Sequence, residues 1–205
     1  NLADVRSLAD NIRAQVGKAI VGQEGTIDHL LIALMSQGHV LLEGPPGTAK
    51  TFLAQCFTAA LGLDFGRIQF TPDLMPTDVV GTNVFVTKDS SFAFKKGPIF
   101  SQFVLIDEIN RAPAKTQSAL FEVMEELQVT IDGKTHHMEE PFMVLATQNP
   151  IEQEGTYKLP EAQMDRFLFR ILMQYPTEAE EIEMLERFSG EKKSRDLSDV
   201  NAALT

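Results

Sequence analysis

Apolar residues recur along this chain in two rhythms, and each rhythm predicts its own kind of element. Leu2, Val5, Leu8, Ile12, Val16 and Ile20 fall at three- and four-residue steps, the spacing of one helix face, so a helix is expected to run to about Gly22. A second helix is expected over 26–37, stopped by Gly38. HVLLE follows as a short apolar run without alternation, the mark of a strand buried on both faces. Beyond a Gly/Pro-rich turn, TFLAQCFTAAL regains helical spacing and closes at Gly62. Similar short runs at 67–70, 103–106, 142–146 and 167–173 complete a predicted five-stranded, mainly parallel sheet with helices on both faces, a three-layer α/β sandwich. The helical stretch PAKTQSALFEVMEEL, with Pro113 in its first turn, carries Leu120, Val123, Met124 and Leu127 on one face and is expected to pack on that sheet.

Two segments do not fit a bare doubly wound sheet and read as inserts: 71–100, and the hairpin at 128–138, where Asp132 and Gly133 form a strong turn signal. After Tyr175 and Pro176, Thr177 stands three residues before Glu180, a capping box that opens a new helix. The expected division is therefore a core over 1–176 and the beginning of a helical lid over 177–205. The chain starts without Met and stops inside a helix-like pattern, so it is expected to be part of a longer protein.

Composition changes this picture little. At 43% hydrophobic and 23% charged, the chain has enough apolar surface to fold. A net charge of −11 opposes non-specific attraction to nucleic acid or to an anionic membrane, and nucleic acid is not an expected partner. The most apolar window, 30–42, is too short to span a bilayer, and Asp4, Arg6 and Asp10 interrupt any leader-like stretch. Cys56 has no second cysteine to pair with, which agrees with a reducing compartment; the cytoplasm is expected.

Chemistry enters at GPPGTAKT, residues 44–51. In the loop of Gly44, Pro45, Pro46, Gly47, Thr48 and Ala49, the glycines let successive N–H groups turn toward one point, and the following helix adds its positive end, so the loop can cradle phosphates. Lys50 would then contact the β and γ phosphates and Thr51 would ligate magnesium. Ala49 stands where the general pattern has glycine, and a plain Gly/Pro turn is the competing reading. Corroboration comes from FVLIDE, where a buried strand delivers Asp107, a magnesium ligand, and Glu108, which can polarise an attacking water. FMVLATQN delivers Thr147, Gln148 and Asn149 to the same edge, and an amide there can orient that water. Arg166, in LPEAQMDRF, either stabilises charge on a transferring phosphoryl group or merely pairs with a helix end; both readings stay open.

In that order and spacing, GPPGTAKT, FVLIDEINRAPAKTQSALFEVMEE, ATQNP and GTYKLPEAQMDRF resemble the MoxR family of AAA+ P-loop ATPases, over roughly 15–176. The resemblance implies Walker A at Lys50 and Thr51, Walker B at Asp107 and Glu108, sensor 1 at Asn149, and an arginine finger at Arg166 that serves a neighbour's nucleotide. Arg111 is a second candidate for such trans contacts, and Ala49 is a frequent family variant. VGQE implies that Val21, Gly22 and Gln23 line the adenine pocket. The inserts resemble the helix-2 insert and pre-sensor-1 hairpin of this clade, facing the ring axis or a client. The family further implies ATP and Mg2+, a ring of identical subunits, expected to be hexameric, and chaperone-like remodelling of a protein client, often beside von Willebrand A domain proteins. Two alternatives share these motifs: a nucleotide-gated binding module with little hydrolysis, and a chelatase-like or nucleic-acid motor subunit.

Three features are expected to be inert. His136 and His137 point to opposite faces of a solvated hairpin, so one metal ion could not readily take both. Cys56 sits among core residues of its helix. Phe92 and Phe94, beside Lys95 and Lys96, suggest a base-stacking platform, but an insert hairpin packed on its own domain is the preferred reading.

Overall fold

The computed structural model describes residues 2–88, 90–149, 157, 159–188, 197, 199–200 and 202. Helices α1 (Leu2–Gly17) and α2 (Glu24–Met35) precede β1 (His39–Glu43), α3 (Lys50–Leu61) and β2 (Phe65–Gln69). An insert follows, built from α4 (Pro76–Val80) and the hairpin of β3 (Gly81–Val86) and β4 (Ser91–Lys96), and closed by a 3-10 turn at Pro98–Phe100. Next come β5 (Phe103–Asp107), a 3-10 turn at Ile109–Arg111, α5 (Ala114–Glu126), and the hairpin of β6 (Gln128–Ile131) and β7 (Lys134–His137). The chain ends with β8 (Met143–Gln148), α6 (Glu161–Met164), β9 (Phe167–Leu172) and α7 (Glu178–Phe188).

The five expected strands form one sheet in the order β2-β5-β8-β1-β9, and every pair is parallel. Parallel neighbours need crossovers, and these lay helices over both faces. The central strands are buried along their length, yet their side chains still sort by alternation. Val40, Leu42, Phe103, Leu105, Met143 and Leu145 face one cluster with Ile12 and Val16 of α1, Leu30 and Leu31 of α2, and Phe57 of α3. Leu41, Val104, Ile106, Val144 and Ala146 face the other, with Leu120, Phe121, Val123 and Met124 of α5 and Val79 and Ile99 of the insert. Each such Leu or Phe contributes about 1.5–3 kcal/mol through burial. Cys56 is fully buried in the first cluster, and that burial pushes its thiol up to about 12, as an inert core residue should be.

Several boundaries differ from expectation for local reasons. The first helix stops at Gly17 rather than near Gly22, because Ala19 and Val21 are drawn into the core by a turn that closes on the carbonyls of Gln15 and Val16. The second begins two residues early and ends at Met35. Pro113 precedes α5 at its N-cap, and Leu127 leaves the helix as a left-handed C-cap, φ 51, instead of extending the apolar face. Gly62 closes α3 in the left-handed conformation, as expected.

Both segments expected to be inserts form hairpins apart from the main sheet. Asp132 and Gly133, with φ 49 and 76, make the tight hairpin turn that their sequence signals. The expectation of a solvated histidine hairpin is corrected in part: the His136 ring lies 4.2 Å from Phe94, which also meets Phe100, so the two inserts pack on each other. That contact divides the rings of the supposed stacking platform, because Phe92 instead pairs with Phe85 at an exposed tip. Among the described residues no group of three or more His, Cys, Asp or Glu could hold a metal ion by itself, and no helix is long and apolar enough to cross a membrane.

At the other end, Thr177 Oγ1 and N–H donate to the Glu180 carboxylate at 2.8 and 2.6 Å, the capping box that starts α7. Most residues beyond α7 lie outside the described ones, but Val200 is buried against the α1–α3 cluster.

Candidate functional site

Parallel topology brings the C-terminal ends of β1, β5 and β8 to one edge, where open α/β sheets bind ligands. The loop 44–51 leaves β1 there and runs into α3. Its first residue must be small, because a Cβ on Gly44 would sit 2.6 Å from the carbonyl of Met173. Ala49 is held at φ 56, ψ 23 immediately before α3. An L residue pays about 1–2 kcal/mol for that conformation, which is the physical reason the general pattern has glycine at this position. The Lys50 ammonium donates to the carbonyls of Gly44 and Pro45 at 2.9 and 2.8 Å and to Thr48 Oγ1 at 3.2 Å. Burial lowers its pKa from the usual lysine value, while Asp107 and Glu108 oppose that shift.

The two acidic residues at the end of β5 are held differently. Asp107 has little exposed surface; its Oδ2 accepts from Arg67 Nε at 2.8 Å and its Oδ1 from the Thr147 hydroxyl at 3.3 Å. Glu108 is left-handed, φ 56, and its N–H donates to the same Thr147 oxygen at 3.0 Å. Its carboxylate accepts from Gln69 Nε2 at 3.0 Å and from Arg111 at 2.9 Å. A non-glycine residue in that conformation, fixed from three sides, is the kind of local strain that clusters at functional sites.

These groups share one cavity of about 320 Å³, lined by Gly44, Pro46, Gly47, Thr48, Ala49, Lys50 and Thr51 from the loop, Asp107 and Glu108 from β5, and Thr147, Gln148 and Asn149 from β8. A second, more apolar cavity of about 580 Å³ adjoins it through Gly47, Thr48, Ala49 and Phe52. Val21 and Gln23 line it together with Pro176, Met184, Leu185 and Phe188. Gly22 does not; it lies at φ 75 against the Glu180 carboxylate of α7, and a side chain there would collide with it. The polar and apolar cavities together have the character of a nucleotide's phosphate and base ends.

Two expected residues lie apart from this cavity. Arg166 pairs with Glu125 and donates to the Ala162 carbonyl at 2.9 Å, in a hollow shared with Glu122 and Glu126. Arg111 is turned to Glu108 of its own chain. Within GTYKLP, Gly155, Thr156 and Lys158 lie outside the described residues, as does Pro150 of ATQNP.

Sequence reasoning expected a strand at 67–70 but gave its polar side chains no role in the site. Arg67 and Gln69 are two residues apart, hence on one strand face, and together they hold both acidic residues of β5. The polar-apolar alternation of RIQF was the available signal, but it means little until β2 is known to lie beside β5. Also missed was Glu43, 1% exposed, which pairs with Arg170 Nε at 2.7 Å and accepts from Gln148.

A parallel sheet in this order, a phosphate-type loop leaving its central region and an acidic pair at the same edge define the P-loop fold of AAA+ type. Residues 39–169 match the model of the ATPase family associated with various cellular activities (AAA). With its relatives, that match shows that the chain belongs to the MoxR family of AAA+ ATPases. It is 54% identical to Chaperone MoxR1 of Mycobacterium tuberculosis over 173 residues, 84% of this chain and 46% of that protein. It is 33% identical to Protein MoxR of Methylorubrum extorquens over 183 residues, 87% of this chain and 53% of that protein. The crystal structure of a candidate ATPase from Cytophaga hutchinsonii superposes with a TM-score of 0.87 at 47% identity, covering 98% of this chain and 60% of that one. The chain thus spans about half the length of the relatives it matches.

Proposed function

We propose that this chain is the Mg-ATP-hydrolysing core of a ring of identical subunits, expected to be hexameric, that remodels a protein client in the cytoplasm. The single cavity that Lys50, Thr51, Asp107, Glu108 and Asn149 share supports this reading most strongly. In it, the loop N–H groups and Lys50 take the phosphates, Glu108 orients the attacking water and accepts its proton, and Asn149 reports the γ-phosphate. ADP and inorganic phosphate leave. The Thr51 hydroxyl and Asp107 carboxylate are hard oxygen donors on the wall of that cavity and suit magnesium, which when bound neutralises phosphate charge. Val21 and Gln23 shape the base pocket, and α7, from 178 onward, begins the lid over it, with the core taken as 1–176.

Arg166 supports the ring part of the proposal because it lies away from its own chain's cavity, as a residue serving a neighbour would. The pairing of Arg111 with Glu108 supports for it a role in positioning that carboxylate. The client is a protein, and a von Willebrand A domain protein is the first to test.

The test is phosphate release per subunit across a wide range of protein concentration, on the chain extended through the lid. Lys50→Ala is expected to abolish nucleotide binding or turnover, and Glu108→Gln to keep binding and lose turnover. Specific activity should rise with concentration and fall in Arg166→Ala by about 10³-fold or more. Activity that is flat with concentration and survives Arg166→Ala would refute the shared site. Tight ATP binding with no phosphate release would turn the reading to a nucleotide-gated module.

A further inference from the structure

Arg67 is a cation that the motif reading left without a role. It is half exposed, lines the phosphate-side cavity, and spends its Nε on Asp107 rather than on solvent. The carboxylate it grips is only 10% exposed, and its other oxygen is already taken by Thr147. The charged side chains on the cavity wall are Lys50, Arg67, Asp107 and Glu108, two of each sign, so Arg67 decides whether the wall is neutral or acidic.

A divalent ion approaching Asp107 therefore meets a resident monovalent cation. Guanidinium and metal repel each other and want the same carboxylate lone pairs, and the low exposure of Asp107 weakens the screening between them. The same guanidinium favours the polyphosphate of a nucleotide that arrives without metal.

We propose that Arg67 is the built-in counter-cation of Asp107, a positioning residue that raises the magnesium concentration the site requires and supports nucleotide binding when magnesium is scarce. The proposal rests on the nucleotide-site reading given above. Its distinguishing feature is direction: losing a positive charge from a phosphate site should make metal binding easier.

The experiment is a magnesium titration of the full chain at fixed ADP, read by calorimetry and by the ADP-dependent shift in melting temperature, so that turnover is not needed. Arg67→Met is expected to lower the magnesium midpoint about fivefold, near the upper end for competition by a partly exposed ion pair, and to weaken ADP binding in EDTA by a similar factor. Arg67→Lys, which keeps the charge, should stay within about twofold of the unaltered chain on both counts. If Arg67→Met does not fold, Arg67→Gln removes the charge while keeping a donor for Asp107. A midpoint unchanged or raised in the neutral variant overturns the proposal while leaving the nucleotide site intact. Failure of the unaltered chain to bind ADP, with or without magnesium, overturns the nucleotide-site reading and this inference with it.

Discussion

Thr147→Val is the substitution that most directly tests how the acidic pair is held. The side chain is 3% exposed, and its one hydroxyl accepts the Glu108 N–H at 3.0 Å while donating to Asp107 Oδ1 at 3.3 Å. Valine fills nearly the same space, so little of the effect can come from a cavity. It leaves the Glu108 N–H without its acceptor, which costs about 1–3 kcal/mol for a buried donor, and removes one long bond to a carboxylate. A loss of about 2 kcal/mol is expected, corresponding to about 4–8 °C in Tm for a chain of this size. Thr147→Ser keeps the hydroxyl and gives up one methyl group, about 0.8 kcal/mol. Urea denaturation of the three proteins at neutral pH measures the differences. Because Glu108 is left-handed and fixed partly by this bond, the valine variant should lose turnover more than ADP affinity. A valine variant as stable as the unaltered chain, or a serine variant less stable than the valine one, would refute the reasoning.

Two further outcomes follow from local geometry. His39 is buried, accepts the Val144 N–H on Nδ1 at 3.0 Å and meets the Met124 carbonyl through Nε2 at 3.2 Å, so it is neutral with its proton on Nε2. Burial lowers its pKa below the ordinary histidine value of about 6.5. The unfolded chain therefore takes up a proton first as pH falls, and stability should drop as pH falls below about 6.5; His39→Gln should flatten that dependence in urea melts at pH 5–7. Ala49→Gly should relieve the left-handed strain at φ 56 but gain unfolded-state entropy, for a net stabilisation of about 0.5–1 kcal/mol by thermal melting; a destabilised glycine variant would show that the loop is not strained there.

The sheet was legible because its central strands β1, β5 and β8 are apolar runs, and the loop, the acidic pair and Asn149 were legible because each stands at the end of such a run. What escaped were interactions set by strand order. Nothing local in the sequence places Arg67 beside Asp107 or Glu43 beside Arg170, since each pair joins strands far apart in the chain. The expected limits of β2, 67–70 against the observed Phe65–Gln69, slipped for the same reason: Arg67 and Gln69 interrupt the apolar pattern by facing the cavity. His136 was misjudged because its partner, Phe94, belongs to the other insert.

The sheet's two margins are unequal. At β2, the return of the first insert presses close enough that a Cβ on Gly66 would lie 2.6 Å from the Pro98 carbonyl, so a face of that strand is covered. Beyond β9, no strand follows among the described residues, and Leu168 and Leu172 stand exposed. Among the described residues, the β9 margin therefore stands open to a strand offered by another chain, and recombinant handling that favours self-association should bury Leu168 and Leu172 first.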